Sequence, residues 1–364
     1  MRKVALAHDY LLVMRGAERS FAAIADCWPD APIYTTLYDE EGTDGRFAGR
    51  RVVSSPLQRL PMRQRGFRAL LPLMPAAVRR LPVGDADVVI SSSSAFAHGV
   101  RPKEGAAHVC YCYTPFRYAW HERDTALAEV SPLLRPALRM TLSRIRKWDL
   151  AASRRVSHYV AISRLVQERI ADLYDRSSTV IHPPVEVDRF APGEPGDAFV
   201  FVGELVAHKR VDVVLEAARR ARKRLRVVGD GPELERWRAR FPDAEFLGRV
   251  ADPDLPGILA EARALLVPNV EEFGIAAVEA QAAGRPVVAV AAGGVLETVV
   301  DGETGILLER ADADEFAEVL SEVDFDRFDP DTLARHASSF STASFKQRFT
   351  AEVERARGGP ATAV

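Results

Sequence analysis

The chain has 364 residues, of which 47% are hydrophobic and 27% charged, and its formal net charge is -2 at pH 7. This length suits two domains of roughly 150–200 residues each, and the composition is typical of an ordinary globular protein. The charge balance points to no polyanionic partner. We expect no binding of nucleic acid, because no recognised nucleic-acid module accompanies the basic stretches.

Nothing in the chain indicates export. The N-terminus becomes polar too quickly for a signal peptide, and no apolar run reaches the about 20 residues of a membrane-spanning helix. The three cysteines, Cys27, Cys110 and Cys112, have neither the spacing of a CxxC redox pair nor the further ligands of a zinc site. We therefore expect a cytoplasmic protein.

Short apolar runs alternate with helical patterns along the whole chain. Strands are predicted, in chain order, in KVALAH, DVVISS, HVCYCY, HYVAIS, STVIHP, AFVFVGEL, LRVVGD, AEFLGRV, ALLVPN, PVVAVA and GILLE. These runs are continuously rather than alternately apolar, which is typical of parallel strands covered on both faces. The predicted fold class is α/β, with two doubly wound Rossmann-like domains facing each other across a cleft.

The domain boundary is predicted in HPPVEVDRFAPGEPGDAF, where prolines, glycines and acids separate the end of one strand from the start of the next. We place an N-terminal domain over 1–184 and a C-terminal domain over 185–345. The remainder, 346–364, is predicted to be a C-terminal helix and tail, which could pack back on the N-terminal domain.

Two stretches are strongly basic despite the neutral average. Nine arginines and no acid lie between Arg46 and Gly84, interleaved with bulky apolar residues, and a second basic stretch covers 135–155. Such a mixture can lay a segment on an anionic membrane surface, which we favour. The alternative is a solvated face on normally packed helices, and five prolines interrupt any long helix in the first stretch.

The segment EEFGIAAVE carries one carboxylate at the start of a predicted apolar helix and a second one inside that helix. Glu271 follows a buried strand and precedes the helix, whose free N–H groups favour an anion or a hydroxyl-rich ligand. Glu279 lies about one turn into the helix, where an unpaired carboxylate would be costly. A vicinal diol such as a ribose would supply two donors, and a core ion pair with an arginine is the alternative.

Other loops of the second half end strands at the same predicted sheet edge. Lys209 and Arg210 precede a helix and could hold a diphosphate, although such a pair is often simply exposed. GDGPE is a glycine turn, and FLGRV ends a further strand. Near the N-terminus, Gly16 opens a helix where a backbone N–H could approach a phosphate closely. Each of these signals is weak alone.

Together, GELVAHKR, GDGPE, LGRV, EEFGIAAVE, AAGGVLETV and DGETGIL resemble, in order and spacing, the family 4 retaining glycosyltransferases, which have the GT-B fold. The resemblance covers nearly the whole chain. In the first half, CYCYTPFRYAWH, AISRLVQERIADLY and VIHPPVEVDRF resemble the bacterial mannosyltransferase-like branch that builds O-antigen and exopolysaccharide.

The resemblance implies a role for each matching residue. Glu279 would bind the ribose hydroxyls, Glu271 the transferred sugar, and Lys209 the diphosphate. The catalytic candidates are Lys209, Glu271 and Arg210. The donor-binding candidates are Gly16, Gly203, Glu204, Gly248, Arg249, Val250, Phe273, Gly274, Ile275 and Glu279. The acceptor-side candidates are His98, Tyr113, Arg117 and His121.

Three departures from the family pattern stand out. The family usually has an arginine where this chain has Glu204, and Arg210 could compensate. The N-terminal loop often has two glycines, whereas here Gly16 is followed by alanine. The related branch often has histidine at the positions of Ser94 and Tyr113.

The implied reaction is transfer of a hexose, with mannose preferred, from a nucleoside diphosphate sugar to a hydroxyl of a lipid-linked or polysaccharide acceptor. GDP-mannose is the preferred donor and a UDP-sugar the alternative. No Asp-x-Asp cluster is identified as metal-binding, so we expect no metal and no cofactor beyond the co-substrate. The expected location is the inner face of the cell membrane. The rival functions are a nucleotide-sugar epimerase, a sugar phosphorylase, and a non-catalytic nucleotide-sugar-binding protein.

Overall fold

The computed structural model describes residues 3–60, 67–128 and 130–358. The chain forms two compact units, of which the first comprises Met1–His182 and Phe345–Val364, and the second comprises Pro183–Ser344. The chain therefore leaves the first unit once, near residue 182, and returns to it near residue 345.

The first unit is built on a seven-stranded, wholly parallel sheet in the order β3-β2-β1-β4-β5-β6-β7. Its strands are β1 (Val4–His8), β2 (Ile33–Thr35), β3 (Val52–Ser54), β4 (Val88–Ser93), β5 (Ala107–Cys112), β6 (His158–Ala161) and β7 (Ser178–Val180). Its helices are α1 (Gly16–Cys27), α2 (Met74–Arg79), α3 (Arg123–Ala128), α4 (Arg135–Ser153) and α5 (Arg164–Tyr174).

The second unit is built on a six-stranded parallel sheet in the order β10-β9-β8-β11-β12-β13. Its strands are β8 (Phe199–Val202), β9 (Leu225–Val228), β10 (Glu245–Gly248), β11 (Leu265–Val267), β12 (Val287–Val290) and β13 (Gly305–Leu308). Its helices are α6 (Val211–Ala221), α7 (Leu234–Arg240), α8 (Leu255–Ala260), α9 (Ile275–Ala282), α10 (Val295–Thr298), α11 (Ala313–Glu322) and α12 (Pro330–Ser338). Helix α13 (Thr342–Gly358) follows.

All eleven strands expected from the apolar runs are confirmed, and so is the α/β class with two doubly wound units. Two further strands, β2 and β3, were not predicted from the sequence. Each is only three residues long, and they continue the sheet outward from β1 to its edge. Three residues are too few to form a recognisable apolar run, so register with the neighbouring strand decides these elements.

Most of α13 belongs to the first unit because its apolar face packs there. The rings of Phe345 and Phe349 lie 5.5 and 5.4 Å from that of Tyr111 on β5. The buried carboxylate of Glu352 lies 2.5 Å from His158 and accepts a hydrogen bond from Thr179 at 2.8 Å. Aromatic packing and a satisfied buried carboxylate therefore attach the end of the chain to this sheet.

In both sheets the strand order reverses at an interior position. This reversal lies between β1 and β4 in the first unit and between β8 and β11 in the second. The loops leaving the carboxyl ends of such neighbouring strands run in opposite directions and leave a crevice, where open α/β sheets bind ligands. Each unit therefore has one such position.

Within residues 3–60, 67–128 and 130–358, no helix combines the length and the apolar character needed to cross a bilayer.

Candidate donor and acceptor sites

The loop after β8 is joined to the loop after β9 by backbone hydrogen bonds. Gly203 N–H donates to the Val228 carbonyl at 3.0 Å, and Leu205 N–H donates to the Asp230 carbonyl at 2.9 Å. Gly231 has φ +159°, and a Cβ there would lie 2.5 Å from the Leu205 carbonyl oxygen. The second glycine of GDGPE is thus required for this close approach.

Lys209 and Arg210, which are predicted to hold a diphosphate together, have different partners in the structure. Lys209 Nζ lies 2.6 Å from Glu271 Oε1. Arg210, left-handed at φ +51°, lies 3.5 Å from the Asp212 carboxylate and donates to the Ala311 carbonyl at 3.4 Å. Only Lys209 therefore reaches Glu271. Glu204, at the position of the family arginine, is exposed.

The Glu271 carboxylate is held by one of its two oxygens. Besides Lys209, the buried Asn269 donates from Nδ2 to Oε1 at 2.9 Å. Among the residues that the structure describes, nothing is bonded to Oε2. Lys209 comes from the loop after β8 and Asn269 with Glu271 from the loop after β11, so this cluster spans the strand reversal of the second sheet. Sequence reasoning missed Asn269, whose signal is an amide closing the apolar run ALLVPN.

Backbone packing holds the mouth of α9 in place. Gly274, at φ +94°, precedes the first helical residue, Ile275, and the buried ring of Phe273 packs on Phe340 with 5.7 Å between centroids. A Cβ on Gly294 would lie 2.2 Å from Phe273 Cα, so only glycine allows the two loops to meet. The first N–H groups of α9 have no intrahelical acceptor, which makes this end attractive to an anion or a hydroxyl-rich group.

The remaining donor-side candidates of the second unit are on α9 and at the end of β10. Glu279 is half-buried in the second turn of α9. Gly248, at φ +68°, ends β10 and its carbonyl accepts the N–H of Gly229 at 2.8 Å. Arg249 is exposed and Val250 is half-buried beside it.

In the first unit a buried carboxylate joins the ends of β1 and β4. Asp9 accepts the N–H groups of the loop 94–97 at 2.6, 3.0, 2.7 and 2.5 Å in chain order. It also accepts the hydroxyl of Ser94 at 3.0 Å. A carboxylate with this many donors fixes the loop at the strand reversal. Sequence reasoning did not single out Asp9, although an acid directly after the apolar strand was a usable signal.

Tyr113 supports the first turn of α1, where Gly16 lies. Its hydroxyl donates to the Ala17 carbonyl at 2.8 Å and lies 2.8 Å from Ser92 Oγ, which is 3.0 Å from His8 Nδ1. Burial raises the pKa of Tyr113 well above its usual value of 10. The structure thus places this acceptor-side candidate inside the unit, beneath the turn that carries Gly16.

His98 is buried in the core of the first unit. Its Nε2 lies 3.2 Å from Asp149 Oδ1, and Asp149 Oδ2 accepts from Trp120 and Tyr174 at 2.7 Å each. Burial opposes protonation, but the neighbouring Asp149 outweighs it and raises the pKa of His98 above 6.5.

The other two acceptor-side candidates lie nearer the surface. Arg117 is half-buried with its guanidinium 3.6 Å from the Glu122 carboxylate, and His121 is exposed. Of the four acceptor-side candidates, two are therefore buried and two lie nearer the surface. The sequence did not distinguish these two groups.

Two family models match the chain. Residues 14–189 match the model described as Glycosyltransferase Family 4, and residues 196–323 match the model described as Glycosyl transferases group 1.

The curated relatives match this chain over only part of their length. The D-inositol 3-phosphate glycosyltransferase of Frankia alni is 35% identical over 42% of this chain and 46% of its own. A GDP-mannose-dependent alpha-(1-6)-phosphatidylinositol monomannoside mannosyltransferase of Mycolicibacterium smegmatis is 33% identical over 42% of this chain and 49% of its own. The match thus spans about half the length of these relatives.

Solved structures match over nearly the whole chain. Anabaena HepE, in complex with UDP-glucose, has a TM-score of 0.71 at 18% identity and is covered over 100% of its chain and 98% of this one. The sucrose-phosphate synthase of Thermosynechococcus elongatus has a TM-score of 0.75 at 14% identity, over 99% of its chain and 98% of this one.

These likenesses and the two parallel sheets define a GT-B protein, with two Rossmann-like α/β units. Since both halves match glycosyltransferase models, the chain belongs to the family 4 glycosyltransferases.

Proposed function

We propose that this protein is a retaining, metal-independent glycosyltransferase that moves a hexose from a nucleoside diphosphate sugar to an acceptor hydroxyl. The observation that carries the proposal is the cluster of Lys209, Asn269 and Glu271 at the strand reversal of the second sheet, beside the mouth of α9. A cation, a half-satisfied carboxylate and a helix N-terminus together suit a phosphate next to a sugar.

Lys209 is suited to the diphosphate because its ammonium group has three N–H donors and the Glu271 contact uses one. The other two can meet the phosphate charge that grows as the sugar departs, together with the helix N-terminus. Glu271 Oε2 can accept a sugar hydroxyl, while Oε1 is held by Lys209 and Asn269. Glu279, further along α9, is assigned to the ribose hydroxyls.

The anomeric configuration is retained without a pair of carboxylates if the acceptor approaches the same face of the sugar that the phosphate leaves. The departing phosphate then takes the acceptor proton as the new glycosidic bond forms. No second carboxylate is required for a double displacement, and Lys209 already neutralises Glu271.

The choice of donor and acceptor is drawn from the relatives. The GDP-mannose-dependent relative supports GDP-mannose and a lipid-linked acceptor, and the UDP-glucose complex of HepE supports a UDP-sugar as the alternative. The motifs of the first half favour O-antigen or exopolysaccharide synthesis at the inner face of the cell membrane. An inositol phosphate acceptor, as in the Frankia alni relative, is the second candidate.

The first experiment is a thermal-shift panel of UDP-, GDP- and ADP-sugars with the wild type, Glu279→Ala and Glu309→Ala. Glu309 is an exposed glutamate of the same unit and serves as the matched control. We expect one nucleotide class to raise the melting temperature of the wild type and the control but not of Glu279→Ala. An equal shift in Glu279→Ala would disprove the ribose assignment.

Turnover then separates the rival functions. Transfer of labelled sugar to a lipid extract supports the transferase, with the anomeric outcome read by NMR and chelator added to test metal independence. Epimerised sugar without acceptor indicates an epimerase, and dependence on inorganic phosphate and a pyridoxal cofactor indicates a phosphorylase. Donor binding without turnover by any acceptor indicates a non-catalytic protein.

A further inference from the structure

An apolar surface lies at the start of α4 in the first unit. The side chains of Leu133, Leu134 and Met140 are 90, 60 and 51% exposed. Ala137, between them, is exposed as well. Large apolar side chains this exposed and this close in sequence form a patch rather than scattered exceptions.

The patch lies on one face of the helix and the core contacts lie on the other. Ala137 and Met140 lie on the side of the helix away from the buried stripe formed by Leu142, Ile145 and Asp149, and Leu133 and Leu134 directly precede the first helical residue. The helix is therefore already packed, and its apolar outer residues are surplus to folding.

Cations without carboxylate partners lie on and beside this patch. Helix α4 contains four arginines and one lysine, and its single acid, Asp149, is buried against Trp120, Tyr174 and His98. Arg146 stacks on the ring of Trp120 at 4.2 Å. Within the described part of the chain, no carboxylate lies within 4 Å of Arg139, Arg144 or Lys147, which are three of the five exposed cations of this helix.

Several exposed arginines of α6 and α7 have carboxylate partners. On α6, Glu216 pairs with Arg219 and Arg220 at 2.6 and 2.8 Å, and on α7 Arg236 pairs with Glu233 at 3.2 Å. Helix α4 differs in sequence, because its exposed positions hold no acid at all. Its positive charge is therefore available to an external anionic surface.

The first basic stretch is a weaker candidate for such a surface. Arg46 pairs with Asp26 at 2.8 Å, and Arg50 donates to the carbonyl of Trp28 at 2.9 Å, so both serve the fold. Arg63 and Arg65 lie outside the described residues.

We propose that the outer face of residues 131–147, called here the α4 face, docks on an anionic lipid bilayer. Leu133, Leu134 and Met140 enter the boundary between headgroups and acyl chains, while Arg139 and Arg144 contact lipid phosphates. The leucines suit the apolar acyl chains, and the neighbouring unpaired cations suit the anionic headgroups. This inference identifies the docking surface, and it depends on the α4 face alone rather than on sugar transfer.

The experiment is co-sedimentation of the full chain with vesicles of phosphatidylcholine and phosphatidylglycerol, compared with phosphatidylcholine alone. We expect binding to the anionic vesicles that weakens as salt is added. The double variant Leu133→Ser/Leu134→Ser should lower it about tenfold, and Arg139→Gln/Arg144→Gln should lower it by a similar factor.

Two matched variants serve as controls. Leu296→Ser removes a leucine of the second unit that is 55% exposed, and Arg219→Gln removes an arginine already paired with Glu216. Both should bind vesicles like the wild type. Equal binding by the α4 double variants and the controls would overturn the proposal.

A second copy of the chain is the alternative occupant of the α4 face. If Leu133→Ser/Leu134→Ser converts an oligomer into a monomer in analytical ultracentrifugation while vesicle binding is unchanged, the face binds a second copy and the lipid proposal is overturned. Thermal shifts with nucleotide sugars in the same variants keep the two proposals apart. An unchanged donor response with lost vesicle binding supports docking whatever reaction the protein performs.

Discussion

At the residue scale, the Glu271 carboxylate joins the loop after β8 to the loop after β11. Lys209 and Asn269 both bind Oε1, so two loops from different strands converge on one oxygen. This arrangement orients the carboxylate and neutralises it at the same time. It also explains why a glutamate can lie at a site that we assign to a diphosphate, because the lysine reduces the repulsion between them.

Replacing Lys209 with methionine should therefore act on turnover more than on folding. The substitution keeps the length of the side chain and removes the charge that faces the departing phosphate. We expect kcat for sugar transfer to fall by about 10²–10³-fold, measured with saturating donor.

The matched control for Lys209→Met is Lys103→Met, which removes a lysine paired with Asp87 at 2.7 Å in the first unit. It should keep the wild-type kcat. A Lys209→Met enzyme that retains full kcat would show that the lysine is only a partner for Glu271.

His108 predicts a pH dependence of stability. It is buried beside Ser91, with 2.8 Å between Nε2 and Oγ, and burial, with the charges of His98 and Arg155, lowers its pKa to about 3. The unfolded chain binds a proton below about pH 6.5 while the folded chain does not, so stability is lost as the pH falls from 6.5 towards 3. His98, whose pKa is raised, acts in the opposite sense: its contribution is present below pH 6.5 and lost as the pH rises through its folded pKa.

His108→Gln should remove the acid loss, since a glutamine amide can still reach Ser91. Between pH 7 and about pH 5, we expect the free energy of unfolding to fall by about 2 kcal/mol less in this variant than in the wild type, measured by urea denaturation. His208→Gln, at an exposed position, should follow the wild type. Parallel pH profiles for His108→Gln and the wild type would contradict the buried neutral histidine.

At the element scale, the mouth of α9 depends on two loops that touch through backbone atoms. Glu271 forms a parallel bridge with Gly293, and Gly294 N–H donates to the Glu271 carbonyl at 2.8 Å. The loop after β12 thus supports the loop after β11. The glycine-rich segment AAGGV, read from the sequence as part of a family pattern, has this physical role in the structure.

Gly294→Ala should displace this support, because the added Cβ would lie 2.2 Å from Phe273 Cα and 2.5 Å from its nitrogen. Backbone atoms cannot move aside as a flexible side chain can. We expect at least tenfold weaker donor binding, measured by calorimetry with the nucleotide sugar that the panel identifies, and a lower melting temperature.

Gly257→Ala is the control for this substitution. Gly257 is an exposed residue of α8, and a Cβ there meets nothing within 4 Å. Alanine should leave donor binding unchanged and stabilise the protein by up to about 1 kcal/mol. If both variants bind donor alike, the contact between the two loops does not position the site.

At the scale of the whole molecule, the chain completes its first unit only with its last helix. Phe345, Phe349 and Val353 of α13 are buried in that unit, although the residues before them belong to the second. The ring of Phe349 also meets Trp28 with 6.1 Å between centroids. The stability of the first unit therefore depends on residues at both ends of the sequence.

Phe349→Ala should lower the free energy of unfolding of the first unit by about 3–5 kcal/mol, because it leaves a cavity between α13 and β5. Hydrogen exchange of peptides from β5 and β7 measures this opening. Glu354→Ala removes an exposed carboxylate on the same helix and should cost about 0.5 kcal/mol or less. Unchanged exchange in Phe349→Ala would mean that α13 adds little to the core.

The candidate site was partly predictable, for a physical reason. Carboxyl ends of parallel strands share one edge, so loops that follow apolar runs converge, and Glu271 with Lys209 could be expected there. The hydrogen bond from Arg210 to the Ala311 carbonyl could not, because no apolar strand leads into it and Ala311 lies 101 residues away. The same holds for Tyr113, whose hydroxyl meets a carbonyl 96 residues earlier in the chain.

By itself, the sequence determined the α/β class, eleven of the thirteen strands in the described residues, and the motifs that identify the family, because apolar runs and glycine turns are local features. Only the tertiary structure decided which candidates are internal, which cation meets Glu271, and that the short strands β2 and β3 extend the first sheet. Those outcomes depend on contacts between distant segments, where a side chain's burial and charge partner are set by residues far away in the chain.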